Sequence, residues 1–140
     1  TSGLGNETGP APGATAGSMS AAQQQALAAL QNRNIVFFEF DSSEIRADYV
    51  SVVTAHAGYL TKFPTVRVRR EGHTDERGSR EYNIGLGERR AQTVRKALLL
   101  QGVSEAQITT VSYGEERPAV EGSDESAYAQ NRRVELVQVQ

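Results

Sequence analysis

A short polar stretch in the middle of the chain carries the residue types that most often do chemistry. It reads EGHTDERGSREYN, residues 71–83, and places His73, Asp75 and Ser79 within seven residues. A hydrolytic triad needs a nucleophile oriented by a base that is itself oriented by an acid, and three residues on one glycine-containing loop rarely reach that geometry. The sequence therefore disfavours catalysis, and a hydrolase that uses His73 and Asp75 is kept only as an alternative.

Sites for a metal, a phosphate group or a nucleic acid have little support in this sequence. Metal binding lacks support, because the chain has two histidines, His56 and His73, and no cysteine. A phosphate-binding glycine loop is not indicated, since Gly85 and Gly87 fall inside a helical pattern. Nucleic acid is disfavoured, because the arginines are not interleaved with aromatic residues and the net charge is -2. The sequence thus predicts no cofactor, no metal and no nucleic-acid partner.

Recognition of a small zwitterion fits the same residues better. Asp75 follows a predicted strand, and Asn83 and Arg90 are seven residues apart, so that both lie on one face of a predicted helix. A carboxylate, an amide and a guanidinium that face a common point could hold a ligand's ammonium, its amide bonds and its carboxylate. The alternative is a salt bridge from Asp75 to Arg90 that ties the loop to the helix. The residues by themselves leave these two interpretations open.

Composition places the chain among ordinary globular proteins. Its 140 residues are 38% hydrophobic and 23% charged, which suits one domain with a usable core. No apolar run approaches the roughly 20 residues that a membrane-spanning helix needs. Charge is uneven, because residues 62–96 hold ten basic and five acidic residues, whereas the rest of the chain holds five basic and twelve acidic ones. Such a locally basic surface suggests a partner with discrete anionic groups. The alternative is a solvated helix face with ion pairs between residues four apart, and charge by itself leaves both open.

The rest of the chain supplies the elements that would position these side chains. Residues 1–19 are rich in Gly, Ala, Ser, Thr and Pro and predict a flexible tether, ahead of a domain over residues 20–140. A short helix is predicted from Ser20, which is a plausible N-cap. The elements predicted after it are a strand over 35–40, a helix over 45–60, a strand over 65–72, a helix over 80–102, a strand over 107–114, a helical turn over 125–130 and a strand over 132–139. This βαβαβαβ order predicts an α/β two-layer sandwich, with helices on one face of a small sheet.

One predicted strand carries a residue that breaks its pattern. In TVRVRREG, residues 65–72, Val66 and Val68 face one way, and Arg70 falls on the same apolar side. A buried guanidinium without a partner is severely unfavourable. Arg70 is therefore expected either to reach solvent or to pair with an acid.

Long stretches of the chain resemble a known family. The motifs EGHTDERG, EYN, LGERRA, SYGEERPA and NRRVEL, within residues 34–138, resemble the peptidoglycan-associated lipoproteins of Gram-negative envelopes, which belong to the OmpA-like family. The resemblance implies a βαβαβαβ sandwich with a small mixed sheet. It also implies that the domain binds the diaminopimelate side chain of the peptidoglycan stem peptide without cutting it. Carried over position by position, it implies ligand contacts from Asp75, Arg90, Asn83, Thr74, Phe40, Asp41 and Arg132.

The same resemblance implies a cellular role. This role is a link between the outer membrane and the cell wall, on the periplasmic face of the outer membrane, with the Tol system in envelope integrity and cell division. The implied partners are the stem peptide, TolB and other Tol proteins, and the alternative is that binding TolB is the main task. The family's lipidated cysteine is absent from this sequence, so the lipid anchor is expected to lie ahead of it. The chain departs from the family pattern at Arg70, Arg80 and Gly85, none of which is an implied ligand position.

Overall fold

The structure, a computed structural model, describes residues 20–139. Its elements are α1 (Ala21–Leu30), β1 (Ile35–Phe37), a 3-10 turn (Ala47–Tyr49), α2 (Val50–Lys62), β2 (Arg67–His73), α3 (Arg80–Leu100), a second 3-10 turn (Glu105–Gln107), β3 (Ile108–Gly114), α4 (Glu125–Asn131) and β4 (Arg133–Val139). After α1, strands and helices alternate as the sequence predicts. None of the helices within residues 20–139 has both the length and the apolar character that crossing a membrane requires. The predicted tether over residues 1–19 lies outside the described residues.

The chain divides into two compact units, with the boundary between Arg33 and Asn34. Helix α1 belongs to the first unit. Its N-cap is Ser20, whose side chain accepts a hydrogen bond from the backbone N–H of Gln23 at 3.1 Å, which confirms the predicted cap. All four strands and the other helices belong to the second unit, Asn34–Val139. The start of the domain at residue 20 stays a prediction.

The second unit contains a four-stranded sheet in the order β1-β4-β2-β3. Strands β2 and β3 run parallel, with Val68 opposite Ile108, and β4 runs antiparallel to both of its neighbours, with Glu135 opposite Ile35 and Glu71. Parallel neighbours need a crossover connection, which α3 supplies between β2 and β3. Helix α3 packs against both of these strands, and α2 packs against α3. The predicted α/β sandwich with a small mixed sheet is confirmed.

The first strand is shorter than the sequence predicts. It ends at Phe37 rather than at residue 40, and the next helix, predicted from residue 45, begins as a 3-10 turn at Ala47. The chain turns between them at Asp41, which has φ 54°, a left-handed conformation that residues other than glycine rarely adopt. A residue in this conformation cannot continue a strand. The strand itself ends earlier because Phe37 pairs with Arg133, the first residue of its partner β4.

Two glycines bring helix α3 against strand β2. A Cβ at Gly72 would overlap the carbonyl oxygen of Gly87, and a Cβ at Gly87 would overlap the hydroxyl of Ser112. Glycine costs a helix interior roughly 1 kcal/mol relative to alanine, and here the close approach of the backbones is what requires it. Because Gly87 lies between Asn83 and Arg90 on the helix, this approach also sets how near those two side chains come to the end of β2.

Arg70 faces the helices, as predicted, but neither expected form of compensation is present. It has no exposed surface, and its guanidinium donates to the carbonyls of Ala91 and Thr109, both at 2.9 Å, and to the Thr110 hydroxyl. Burial, followed by the charge of Arg95, lowers its pKa from 12.5 to about 9. Among the described residues no carboxylate lies within ion-pair distance of it. The expectation of a solvated or acid-paired guanidinium is therefore wrong, because neutral oxygens of α3 and β3 hold this charge.

Arg70→Leu is expected to raise the free energy of unfolding by about 1 to 3 kcal/mol, because an apolar side chain replaces a desolvated charge that Glu88 offsets only in part. Among the described residues the buried Nε–H of Arg70 also has no hydrogen-bond partner. Urea unfolding at pH 7 measures the change. Arg67→Leu is the matched control, since Arg67 is on the same strand, lies on its opposite face and is exposed. Its loss should change stability by less than about 1 kcal/mol. A lower urea midpoint for Arg70→Leu than for the wild type would show that the hydrogen bonds of Arg70 stabilise the fold by more than its desolvation costs.

Candidate functional site

A cavity opens where strand β2 ends, beside the N-terminal half of α3. Its volume is about 220 Å³, somewhat below the roughly 300–1,000 Å³ typical of sites for drug-sized ligands. Three segments line it, namely the turn after β1, the loop after β2 and one face of α3. Their lining residues are Phe40, Asp41, Thr74, Asp75, Arg77, Gly78, Tyr82, Asn83, Leu86 and Arg90. A space of this size suits one amino-acid side chain with its polar end group.

Six of the seven side chains predicted to contact a ligand line this cavity. The seventh, Arg132, does not line it but contacts Asp75, with 3.5 Å between Nη1 and Oδ2. Its Nε donates to the Phe38 carbonyl at 3.0 Å, and its Nη2 donates to Glu125 at 3.0 Å. Arg132 therefore supports Asp75 instead of facing the cavity. The ligand contacts themselves stay predictions.

Asp75 is a buried carboxylate with 4% of its surface exposed. Its Oδ1 accepts hydrogen bonds from the backbone N–H of Arg77 at 3.0 Å and from Arg77 Nε at 3.3 Å, and its Oδ2 accepts one from Arg77 Nη2 at 2.8 Å. Burial by itself would raise the pKa of this carboxyl, but the hydrogen bonds and charge of Arg77, together with Arg132, lower the pKa below its usual value. Asp75 therefore places a negative charge on the cavity wall at neutral pH.

Arg90 has no exposed surface and joins three segments of backbone. Its Nε donates to the carbonyl of Ser42 at 2.7 Å, Nη1 to that of His73 at 3.0 Å and Nη2 to that of Glu39 at 3.1 Å. A guanidinium has five N–H donors, so within residues 20–139 these three bonds leave two donors unused. Burial lowers the pKa of Arg90 from 12.5 to about 10, with the charge of Asp75 acting in the opposite direction. Arg90 therefore remains a cation at neutral pH.

The alternative of a salt bridge from Asp75 to Arg90 is wrong, because Asp75 pairs with other arginines. Within the part of the chain that the structure describes, Asp75 forms ion pairs with Arg77 and Arg132. Arg90 instead donates to backbone carbonyls. The two charges thus lie on one cavity without being paired to each other, which is the arrangement that a zwitterionic ligand needs.

Asn83 and Thr74 hold the loop that carries Asp75. The Nδ2 of Asn83 lies 2.7 Å from Glu115 Oε1, 3.1 Å from the carbonyl oxygen of Arg77 and 3.4 Å from that of Asp75. The Thr74 hydroxyl donates to the Asp75 carbonyl at 2.9 Å. Both side chains are buried. These bonds fix the loop against α3, so the position of Asp75 does not depend on a ligand.

Two exposed aromatic side chains, Phe40 and Tyr82, also line the cavity. The Tyr82 hydroxyl donates to the carboxylate of Asp41. The guanidinium carbon of Arg77 lies 4.1 Å from the centroid of the Phe40 ring. The aromatic groups thereby join the turn after β1 to α3 and to the loop after β2.

Sequence reasoning missed four residues of the lining, namely Arg77, Gly78, Tyr82 and Leu86. A signal was present for two of them, because Tyr82, Leu86 and Arg90 follow one another at four-residue spacing along one helix face. For Arg77 no comparable signal exists. It lies two residues after Asp75, and only the conformation of the loop decides whether the two side chains meet.

A second cluster of ionisable groups lies outside the cavity lining. Among the described residues, ligand-type atoms of Glu71, His73 and Glu135 lie within 4.8 Å of one another. Arginines already bind both carboxylates, with Arg69 Nε 2.8 Å from Glu71 Oε2 and Arg133 Nε 2.6 Å from Glu135 Oε2. Because these guanidiniums balance the two negative charges, the cluster fits an ion-paired face of the sheet better than a metal centre.

Comparison with protein families gives an independent result. The model of the OmpA family matches residues 37–132, a segment that contains the whole cavity lining. The chain belongs to the OmpA family. Among curated members, it is 50% identical to the peptidoglycan-associated lipoprotein of Pseudomonas aeruginosa over 138 residues, which covers 96% of this chain and 82% of that protein. It is 52% identical to the peptidoglycan-associated lipoprotein of Pasteurella multocida over 106 residues, which covers 76% of this chain and 71% of that protein.

Solved OmpA-like structures agree with this family assignment. The crystal structure of the peptidoglycan-associated lipoprotein from Burkholderia pseudomallei matches with a TM-score of 0.77 and 44% identity, over 79% of this chain and 93% of that one. The C-terminal domain of Helicobacter pylori MotB matches with a TM-score of 0.70 and 27% identity, over 76% of this chain and 84% of that one. The resemblance to the peptidoglycan-associated lipoproteins that the motifs indicated is confirmed.

Proposed function

We propose that this protein is a non-catalytic module that binds peptidoglycan through the diaminopimelate side chain of the stem peptide. The observation that carries the proposal is one cavity lined by an ionised Asp75 and by Arg90, which has two N–H donors to spare. Diaminopimelate ends its side chain in an ammonium and a carboxylate on the same carbon, so it needs an acid and a cation close together. The names of the relatives, peptidoglycan-associated lipoproteins, support the same class of ligand.

In the proposed complex the two charges of the ligand meet the two charges of the site. Asp75 accepts hydrogen bonds from the ammonium, and Arg90 donates two to the carboxylate. Leu86 and Phe40 offer apolar surface to the methylene groups of the ligand. Because Asn83 and Thr74 already fix the loop, little conformational entropy is lost when the ligand binds.

A hydrolase mechanism has less support from the geometry. His73, the candidate base, is 2% exposed and is not part of the cavity lining. The Ser79 hydroxyl caps α3 by accepting the backbone N–H of Tyr82 at 3.1 Å. Nucleophilic catalysis needs the base and the nucleophile within hydrogen-bond reach of each other and of the substrate. The arrangement therefore favours binding without bond cleavage.

The wider role in the proposal is a link between the outer membrane and the cell wall, at the periplasmic face of the outer membrane. The relatives are named lipoproteins, which supports a lipid anchor. Contacts with TolB and other Tol proteins in envelope integrity and cell division are part of the proposal on the ground of family resemblance, and a module mainly for TolB is the alternative. Incubation with purified sacculi separates these roles. Co-sedimentation without released muropeptides supports binding, and release of muropeptides supports a hydrolase. If the protein neither co-sediments nor releases muropeptides, TolB binding stands as the main function.

Stem peptides with diaminopimelate are expected to bind about ten- to a hundredfold more tightly than the same peptides with lysine. Lysine supplies the ammonium for Asp75 but no carboxylate for Arg90, and a desolvated guanidinium without its partner costs roughly 1.5 to 3 kcal/mol. Calorimetry at pH 7 measures both affinities. Amidating the side-chain carboxylate of diaminopimelate is the matched control and should weaken binding to a similar degree. Equal affinities for all three peptides would remove Arg90 from this role.

A further inference from the structure

The carboxylate assigned to the ligand's ammonium already holds a cation of the protein itself. Arg77 places Nη2 2.8 Å from Asp75 Oδ2 and Nε 3.3 Å from Oδ1, so that its guanidinium contacts both carboxylate oxygens. Arg77 also lines the cavity. A carboxylate has about four acceptor sites, and the Arg77 backbone N–H, Arg77 Nε, Arg77 Nη2 and Arg132 Nη1 already contact those of Asp75. The ligand's ammonium and the Arg77 guanidinium therefore compete for Asp75.

The three arginines around Asp75 differ in what holds them. Arg90 and Arg132 are buried and donate to backbone carbonyls, which would lose their donors if these side chains moved. Arg77 is 37% exposed, and within residues 20–139 its side-chain hydrogen bonds and ion pairs are with carboxylates. Its guanidinium can therefore leave Asp75 without taking a donor from any backbone carbonyl, and the ligand's ammonium replaces it as the partner of the carboxylate.

Two aromatic rings stabilise the position of Arg77. Its guanidinium carbon lies 4.1 Å from the ring centroid of Phe40 and 4.4 Å from that of Tyr128. Glu125, whose side chain is exposed, has Oε1 3.7 Å from Arg77 Nη2 and would remain as a partner after Arg77 leaves Asp75. The backbone N–H of Arg77 donates to Asp75 Oδ1 at 3.0 Å independently of the side chain. Asp75 therefore stays oriented when the guanidinium moves away.

We infer that Arg77 is a built-in competitor, which occupies the ammonium subsite on Asp75 in the free protein and must be displaced when the stem peptide binds. This inference rests on the proposed function. The measured affinity is then the intrinsic affinity multiplied by the fraction of molecules in which Arg77 has left Asp75. If Arg77 covers Asp75 in roughly 70 to 97% of molecules, binding is weakened about 3- to 30-fold. A ligand without an ammonium gains nothing by displacing it, so Arg77 also acts as a specificity element.

Arg77→Met is expected to bind the diaminopimelate stem peptide about 3- to 30-fold more tightly than the wild type, by calorimetry at pH 7. Methionine keeps an apolar stem next to the two rings and removes the charge. Arg80→Met is the matched control, because Arg80 is exposed, pairs with Glu116 at 2.6 Å and does not line the cavity. It removes the same charge without uncovering Asp75, so its affinity should stay within about twofold of the wild type.

The ligand supplies a second control. A stem peptide whose side-chain ammonium is acetylated cannot replace Arg77, so its weak affinity should be the same for the wild type and Arg77→Met. Equal or weaker binding of the unmodified peptide by Arg77→Met, when the wild type binds it, would overturn the competitor role and leave the proposed function standing. Failure of both proteins to bind the unmodified peptide would overturn the proposed function and this inference with it.

NMR on the wild type tests the displacement directly. The δ-methylene protons of Arg77 are close to the guanidinium carbon that lies over the rings of Phe40 and Tyr128, so they should resonate upfield of their ordinary position in the free protein. They should move toward that position as the peptide saturates the site. Binding that leaves these resonances unchanged would show that Arg77 stays in place, and the inference would be wrong.

Discussion

Arg90→Ala is expected to lower the free energy of unfolding by about 3 to 5 kcal/mol in the absence of any ligand. The substitution takes away the donors of three backbone carbonyls, those of Glu39, Ser42 and His73. It also leaves a hole where a side chain with no exposed surface stood. Since a domain of ordinary size is stable by roughly 5 to 15 kcal/mol, this loss would remove a large part of the total.

Urea and thermal unfolding of the purified domain measure this effect. Arg89→Ala is the matched control, because Arg89 is the preceding residue of the same helix, carries the same charge and is exposed. It should change the free energy of unfolding by less than about 0.5 kcal/mol. If Arg90→Ala were as stable as Arg89→Ala, the three hydrogen bonds to backbone carbonyls would contribute little to the free energy of unfolding. The role of Arg90 would then be ligand binding only.

The structural role of Arg90 decides how its role in binding can be tested. A loss of binding in Arg90→Ala would follow from a distorted turn after β1 as readily as from a missing contact with the ligand. Changing the ligand avoids this difficulty, because lysine in place of diaminopimelate removes the carboxylate and leaves the protein intact. The comparison of stem peptides therefore carries more weight than the substitution.

Features that depend on local spacing could be predicted from the sequence. Asn83 and Arg90 share a helix face because the period of the helix fixes it, and both line the cavity. Alternation along the second strand correctly placed Val68 and Arg70 on the buried side. Ser20 caps a helix as its residue type predicts. The position of Asp75 just after the strand likewise placed its side chain at the strand end where the cavity opens.

Contacts between distant segments could not be predicted in this way. The carbonyls that hold Arg70 lie 21 and 39 residues further along the chain, and Arg132 reaches Asp75 across 57 residues. No local pattern connects such pairs. Even the close pair of Asp75 and Arg77 depends on the loop conformation, which is why the salt bridge to Arg90 remained an open alternative until the backbone was known.

Lowering the pH from 7 to 4 is expected to lower the free energy of unfolding by about 3 kcal/mol through His73 alone. The ring is 2% exposed, and neither ring nitrogen has a hydrogen-bond partner among the described residues. Burial, followed by the charge of Arg133, lowers its pKa from 6.5 to about 4, against the opposing charge of Glu135. The charge of Arg117 lowers the pKa further, whereas its backbone raises it, and Glu71 Oε1 lies 3.9 Å from Nε2.

The direction of the effect follows from where each state takes up the proton. Above about pH 7.5 His73 is neutral in both the folded and the unfolded chain, so its titration does not change stability there. As the pH falls from 6.5 toward 4, His73 binds a proton in the unfolded chain but stays neutral in the folded protein. The free energy of unfolding therefore falls by about 1.4 kcal/mol per pH unit. Below about pH 4 both states are protonated and this dependence ends. Asp75, whose pKa is lowered below its usual value, loses its own contribution at the acidic end of this range and below it.

Urea unfolding at half-unit steps between pH 4 and pH 7.5 measures the slope. His73→Gln should flatten the curve between pH 4.5 and 6.5, because the side chain no longer titrates. His56→Gln, which removes the other histidine of the chain, is the matched control and should keep the slope that His73 causes. An unchanged slope in His73→Gln would show that His73 accepts its proton in the folded protein, which requires a carboxylate such as Glu71 to move within hydrogen-bond reach of the ring.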